Sequence, residues 1–82
     1  MIALEVGDVR VLFEMYSNMD SGFRPTDSDQ WWSCDLLEAF GLCRSAPTER
    51  RSDRSRSFFI TKQGALCLED PAMIAVEDVH GG

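Results

Sequence analysis

The spacing of hydrophobic and polar residues predicts an amphipathic helix near 9–19. Its hydrophobic residues occupy positions i, i+3, i+4 and i+7, which share one helical face: Val9, Leu12, Phe13 and Tyr16. Asp8 precedes this stripe and can cap the helix, because its side chain can accept a hydrogen bond from a free backbone N–H. We expect the stripe to face the core.

A second helix is predicted near 27–40, and any of three residues can cap it: Thr26, Asp27 and Ser28. Trp32, Leu36 and Phe40 share one face of this helix, which predicts that they pack in the core. Trp31 points roughly 100° away from Trp32, so the two indoles cannot be equally buried. Trp31 is therefore a candidate contact residue, although the pattern leaves its exposure open.

A β-hairpin follows, with strands predicted near 42–46 and 56–60. Gly41 ends the preceding helix with the residue type that most easily adopts a left-handed conformation. The connection is polar, and the second strand is rich in residues that favour β-structure. Thr61 then caps a third helix, predicted near 61–69.

The two ends of the chain have weaker patterns. Residues 1–6 fit either a strand or an extra turn of helix. Asp70 and Pro71 fit a cap and the first position of a new helical segment. Residues 73–79 fit either a short helix or a strand, and residues 77–82 are expected to fray. The whole chain, 1–82, is predicted to be one α+β domain, since a chain of this length forms a single small core.

The order and spacing of helix, strand, polar loop, strand and Thr61-Lys62-Gln63-Gly64 resemble the C-terminal half of winged helix-turn-helix domains, in particular MarR-like and PadR-like regulators. The resemblance covers less than half of the 82 residues. It implies a winged-helix-like fold, in which helices pack on a two-stranded antiparallel hairpin called the wing. It also implies DNA binding through a recognition helix and the wing. Such domains usually place three helices before the wing, whereas the pattern here predicts two.

Charge is divided unevenly along the chain. The segment from Arg44 to Ser57 carries a net charge of +3 within a chain of net charge −6, so the remainder carries −9. The basic residues of this segment are Arg44, Arg50, Arg51, Arg54 and Arg56. They can contact phosphates, because a guanidinium pairs bidentately with phosphate oxygens. A solvated hairpin tip is the alternative interpretation.

The helix near 27–40 takes the position of the recognition helix, yet it carries four acidic residues and no Lys or Arg: Asp27, Asp29, Asp35 and Glu38. In a major groove these carboxylates would face phosphates, which disfavours DNA binding by a single copy. A homodimer that brings two wings together would weaken this argument. The acidic body suits instead a basic surface of a nucleic-acid-binding protein or complex. We therefore predict that the four acidic residues and Trp31 bind a protein partner, with the arginines as a second contact to that partner or to DNA.

No arrangement of residues typical of catalysis is found. His80 is the only histidine, and the neighbouring carboxylates Glu69/Asp70 and Glu77/Asp78 point in different directions. We predict that the protein is not an enzyme and uses no cofactor and no metal. The cysteines are odd in number and form no C-x-x-C pair, so we expect reduced core thiols in a cytoplasmic protein: Cys34, Cys43 and Cys67. No apolar run approaches the roughly 20 residues of a membrane span, and no signal peptide is evident.

In size, charge and lack of catalytic groups the chain resembles the small accessory inhibitors that phages and mobile elements encode, including anti-CRISPR proteins. The predicted function is therefore a non-catalytic inhibitor or regulator of nucleic-acid-handling machinery that acts by protein–protein contact. A small winged-helix transcriptional regulator that binds DNA is the alternative. A structural or assembly component with no ligand is a third interpretation.

Overall fold

The computed structural model describes residues 2–47 and 56–77, which form three α-helices and two small sheets. The helices are α1 (Val6–Ser17), α2 (Ser28–Ala39) and α3 (Lys62–Glu69). The strands are β1 (Ile2–Glu5), β2 (Cys43–Pro47), β3 (Arg56–Ile60) and β4 (Ile74–Glu77). This is the small α+β fold that the sequence predicts, and it is consistent with a winged-helix-like arrangement of helices and hairpin. Within the described ranges no helix is long and apolar enough to cross a membrane.

The first helix begins three residues earlier than predicted, because Asp8 is not its cap. Glu5 is the N-cap residue, and Asp8 lies in the first turn. The Glu5 backbone N–H donates to Asp8 Oδ2 at 3.2 Å, and Ser33 Oγ donates to Asp8 Oδ1 at 2.7 Å. The Asp8 carboxylate is 5% exposed. It therefore closes the start of α1 and ties α1 to α2.

The buried face of α1 is rotated from the predicted stripe. It consists of Asp8, Val11, Leu12 and Met15. Phe13 is 59% exposed, so its predicted core position is wrong. Val11 and Met15 offer a second apolar stripe around Leu12, and the Asp8–Ser33 hydrogen bond selects that stripe by fixing which side of α1 meets α2.

The predicted roles of the two tryptophans in α2 are reversed. Trp32 is 74% exposed and Phe40 is also exposed, so placing both in the core was wrong. The buried residues of α2 are Ser33, Cys34 and Leu37. Trp31 is half-buried and packs edge-on against the buried Phe58 ring, with ring centroids 5.7 Å apart. Trp31 is therefore a packing residue at the border of the core.

The hairpin pairs β2 with β3 in antiparallel register from Cys43↔Ile60 to Pro47↔Arg56. Each outer edge of the hairpin makes hydrogen bonds at one residue. Glu38 Oε2 accepts a hydrogen bond from the Ser45 backbone N–H at 2.8 Å. On the other edge, Phe23 and Phe58 exchange two backbone hydrogen bonds of 2.8 and 2.7 Å. These contacts satisfy edge groups that would otherwise be open to pairing with another strand.

Thr61 and Gly64 join the hairpin to α3, as the sequence predicts for a capped helix. Thr61 Oγ1 accepts from the Gly64 backbone N–H at 3.1 Å and donates to the Gly41 carbonyl at 2.7 Å. A Cβ atom at Gly64 would collide with the Leu42 carbonyl oxygen. Glycine at this position therefore permits the close approach of α3 to the start of β2.

The two ends of the described chain pair with each other. β1 and β4 form a parallel pair from Ile2↔Ile74 to Glu5↔Glu77, so the strand alternative holds at both ends. Asp70 Oδ1 accepts from the Ala72 backbone N–H at 3.1 Å, and a 3-10 turn spans Pro71–Met73. Glu77 ends β4, although it was predicted to fray, and residues 78–82 lie outside the described residues.

Candidate protein-binding surface on the second helix

The structure gives three of the five predicted partner-binding residues a structural contact. The Asp27 carboxylate caps α2 by accepting from the Gln30 backbone N–H at 2.8 Å, although Asp27 remains exposed. Glu38 is half-buried on Ser45, and Trp31 is half-buried on Phe58. Trp31 and Glu38 thus have limited area to offer a partner.

The other two predicted residues, Asp29 and Asp35, are exposed and flank Trp32. Each lies three positions from Trp32, which makes both carboxylates neighbours of the indole on the helix surface. Trp32 is the most exposed of the large hydrophobic residues in the described part of the chain. We call Asp29, Trp32 and Asp35 the α2 outer face.

The α2 outer face has the chemistry of a protein-binding site. A tryptophan can bury 150–250 Å² in an interface, roughly, and tryptophan is enriched among residues that dominate binding energy. Its ring face attracts a cation, and the two carboxylates add favourable interaction with the same cation. An Arg or Lys side chain of a partner therefore fits this surface better than a phosphate does.

A cleft of about 190 Å³ between α1 and α2 extends this surface. It is lined by Gly7, Arg10, Val11, Asp27, Asp29, Gln30 and Ser33. Asp29 belongs both to the cleft and to the α2 outer face. The volume of this cleft is smaller than the ~300 Å³ of the smallest typical small-molecule sites. The cleft is large enough for one side chain of a binding partner. Two carboxylates against one guanidinium favour a basic side chain.

The arginines of the wing are only partly placed. Arg50, Arg51 and Arg54 lie outside the described residues. Arg44 and Arg56 are both exposed, but strand alternation places them on opposite faces of the hairpin. The Arg44 guanidinium lies 5.8 Å from the centroid of the Phe59 ring. The structure therefore does not bring these two arginines onto one face of the hairpin.

The thiols lack the features of a nucleophile. Burial, together with the neighbouring Cys43, Asp35 and Glu38, raises the pKa of Cys34 to about 12. Burial and the carboxylates of Glu38 and Asp35 raise the pKa of Cys43 to about 12 as well. Both thiols are thus protonated at neutral pH, and the thiolate is the reactive form. Among the described residues, no three His, Cys, Asp or Glu side chains are grouped to hold a metal ion.

Comparison of the chain with protein-family models, with curated proteins and with solved structures gave no match.

The exposure of Trp32 was missed, although the end of α2 contains a signal for it. Gly41 follows the helix with φ of +77°, and the Leu42 backbone N–H donates to the Leu37 carbonyl at 2.9 Å. This helix-ending motif places Leu37 and Leu42 in contact, and both are fully buried. Leu37 therefore sets the buried side of α2. Trp32 lies five positions earlier, roughly 140° around the helix, and must point outward.

Proposed function

We propose that the protein is a non-catalytic, acidic binding protein that inhibits or regulates nucleic-acid-handling machinery by protein–protein contact. Its partner is a basic surface of a nucleic-acid-binding protein or complex, as expected of an accessory inhibitor of the anti-CRISPR kind. The observation that carries the proposal is the exposed Trp32 between the exposed carboxylates of Asp29 and Asp35. Such a face can bind a protein surface that normally binds nucleic acid. The indole and the two carboxylates present neighbouring apolar and anionic groups to that surface, as the bases and phosphates of a nucleic acid do.

The net charge of the chain supports the same partner. At −6, the protein is repelled by nucleic acid and attracted to the positively charged surfaces that bind nucleic acid. Complementary charge speeds encounter and makes binding weaken with added salt, because the interaction between exposed charges is screened. The indole supplies the desolvated contact that survives at higher salt.

Competition against DNA tests this proposal. A labelled DNA duplex is bound to each member of a panel of basic nucleic-acid-binding proteins, and the wild-type chain is titrated in while fluorescence anisotropy is read. We expect the chain to displace the duplex from at least one member and to show no binding to the duplex alone. If the chain displaced DNA from no member of the panel, the proposal would be overturned.

A DNA-binding winged-helix regulator is the second candidate. The exposure of Arg44 and Arg56 supports it, whereas their positions on opposite faces of the hairpin do not. This function requires affinity for DNA without any protein partner. Direct titration of the duplex at about 50 and 200 mM salt distinguishes the two, because phosphate contacts impose a steep salt dependence. Micromolar binding that falls sharply with salt would support the regulator and count against the inhibitor.

A further inference from the structure

A second cleft, of about 340 Å³, lies away from α2 and between the end of α1, the hairpin and α3. Its lining includes Met19, Asp20, Arg44, Phe59, Ile60 and Lys62. None of these lining residues belongs to α2, so the cleft shares no residue with the α2 outer face. We call it the hairpin cleft.

One part of the hairpin cleft is apolar. Met19 is 48% exposed, and Phe59 and Ile60 are each partly exposed beside it. The Phe59 ring lies against Gly22, where a Cβ atom would come within 2.8 Å of the ring. The backbone at Gly22 therefore fixes one side of the ring. Met19, an unbranched thioether side chain, can adjust to the shape of an apolar group placed opposite.

The rim of the hairpin cleft is cationic, which is unusual for a chain of net charge −6. Arg44 and Lys62 both border it and are exposed, against one carboxylate, Asp20. The Phe59 ring orients the Arg44 guanidinium, which lies 5.8 Å from the ring centroid. Lys62 is also the first residue of α3, so the positive end of the helix dipole adds to the same field.

We propose that the hairpin cleft binds a peptide segment of a partner protein in which an apolar side chain lies next to an Asp or Glu residue. The apolar side chain packs on Met19 and Phe59, and the carboxylate pairs with Arg44 and Lys62. The volume is near the lower limit for ligand sites, roughly 300 Å³, and therefore suits one large side chain with its flanking carboxylate. A nucleic-acid phosphate would satisfy the cations but would leave the apolar side uncovered.

The probe for this site is the peptide N-acetyl-Asp-Phe-Asp-amide, with N-acetyl-Asn-Phe-Asn-amide as its uncharged counterpart. Amide chemical shifts of the ¹⁵N-labelled protein are followed as each peptide is added. We expect the acidic peptide to shift the signals of Met19, Arg44 and Lys62 with a Kd of about 1 mM or below, the range of weak single-segment contacts. The uncharged peptide is expected to bind about tenfold more weakly, because it loses the charge-assisted hydrogen bonds.

Matched variants make the test specific. Arg44→Gln with Lys62→Gln removes the two cations of the cleft and is expected to weaken the acidic peptide about tenfold. Arg24→Gln with Arg56→Gln makes the same change in net charge at exposed residues outside the cleft lining and is expected to leave the Kd unchanged. Equal binding of the two peptides, or equal weakening by the two double variants, would overturn the proposal. So would the absence of shifts at the cleft residues up to about 5 mM peptide, well above the expected Kd.

The proposal is independent of the function assigned to α2. Trp32→Ala is expected to leave the peptide titration unchanged, because Trp32 does not line the hairpin cleft. A failed peptide titration therefore counts against the cleft alone, and a failed DNA competition counts against the α2 outer face alone.

Discussion

Two buried cysteines are expected to make the stability of this protein depend on pH. The buried thiols of Cys34 and Cys43 have a pKa of about 12 in the folded protein, whereas an exposed cysteine titrates near 8.5, roughly. The folded-state pKa is the higher one, so the unfolded chain releases these protons first. The contribution of the two protonated thiols to the free energy of unfolding is therefore fully present below about pH 8.5, and it is lost as the pH rises toward 12.

We expect the melting temperature of the wild type to fall as the pH is raised from about 8 to about 10.5, across the range in which unfolded thiols ionise. The variant Cys34→Ala with Cys43→Ala should melt at a lower temperature at neutral pH, because it leaves cavities, but should depend less on pH. Circular dichroism melts at a series of pH values measure this difference. Parallel curves for the two proteins would contradict the assigned burial of the thiols.

Gly64 gives a second test at this scale. Gly64→Ala forces a Cβ atom against the Leu42 carbonyl oxygen, and we expect it to lower the free energy of unfolding by about 1–3 kcal/mol. Gly7 is also helical but has nothing within 4 Å of its Cβ position. Gly7 lies in the first turn of α1, so Gly7→Ala should not lower the free energy of unfolding and should raise it by at most about 0.5–1 kcal/mol, the gain at an interior helix position. Urea titrations of both variants test the pair, and a Gly64→Ala protein as stable as wild type would contradict the close approach.

Residues with a strong local preference could be predicted from the sequence, whereas residues chosen by packing could not. The cap at Thr61 and the helix stop at Gly41 depend on neighbours within four positions, and both are confirmed. Asp27, one of three candidate caps, is the cap of α2, whereas the cap predicted at Asp8 is wrong. A stripe of three apolar residues on one helical face predicts a core position for Trp32, and this prediction is wrong. The Leu37–Leu42 contact and the Asp8–Ser33 hydrogen bond decide that face instead.

At the scale of elements, the Asp8–Ser33 hydrogen bond holds α1 and α2 in register. Asp8→Ala leaves the Ser33 hydroxyl without this partner, and Ser33→Ala leaves the buried carboxylate with the Glu5 N–H alone among its described partners. Each single substitution is expected to cost about 1–3 kcal/mol of stability, since a buried polar group loses its partner. The double variant should cost less than the sum.

A double-mutant cycle by urea denaturation measures this coupling. We expect a coupling energy of about 0.5–3 kcal/mol between the two positions, as found for side chains in direct contact. Met15→Ala combined with Ser33→Ala serves as a reference pair without that hydrogen bond, because Met15 is buried but apolar. Additive effects of Asp8→Ala and Ser33→Ala would contradict the proposed link between the helices.

The elements themselves were largely predictable, with one exception. All three helices and both hairpin strands lie within three residues of their predicted bounds in the described ranges, since residues with helix-ending, turn and β-forming preferences mark where each element begins or ends. The parallel pairing of β1 with β4 was not predicted. It joins segments from opposite ends of the chain, and such non-local pairing leaves no pattern within either segment.

The whole molecule has two separate surfaces that each combine an exposed apolar group with charge of one predominant sign. The α2 outer face combines Trp32 with two carboxylates, whereas the hairpin cleft combines Met19 and Phe59 with two cations. The first suits a basic surface, and the second suits an acidic segment. The acidic residues of the first surface are predicted from their positions alone, and the Leu37–Gly41–Leu42 helix end contains a signal for the exposure of Trp32. The hairpin cleft has no signal of this kind, because the tertiary fold brings its residues together from separate elements.

We propose that the α2 outer face, rather than the net charge alone, displaces nucleic acid from a basic protein. Each test variant therefore has a control of matching chemistry. Trp32→Ala is paired with Phe13→Ala, which removes another exposed aromatic side chain. The test variant Asp29→Lys/Asp35→Lys is paired with the control Glu14→Lys/Glu69→Lys. The control changes the net charge equally, at exposed residues outside α2 and outside the hairpin cleft.

The most direct measurement is the concentration of each variant that displaces half of a labelled duplex from a panel member that the wild type displaces. We expect Trp32→Ala and the Asp29/Asp35 reversal to raise this concentration at least about 30-fold, corresponding to the ~2 kcal/mol of a dominant interface residue. Phe13→Ala and the Glu14/Glu69 reversal should change it by less than about threefold, as for residues outside an interface. Equal loss in the two charge reversals would show that net charge alone is responsible. Equal loss in Trp32→Ala and Phe13→Ala would show that Trp32 makes no specific contact, and either result would contradict the proposal.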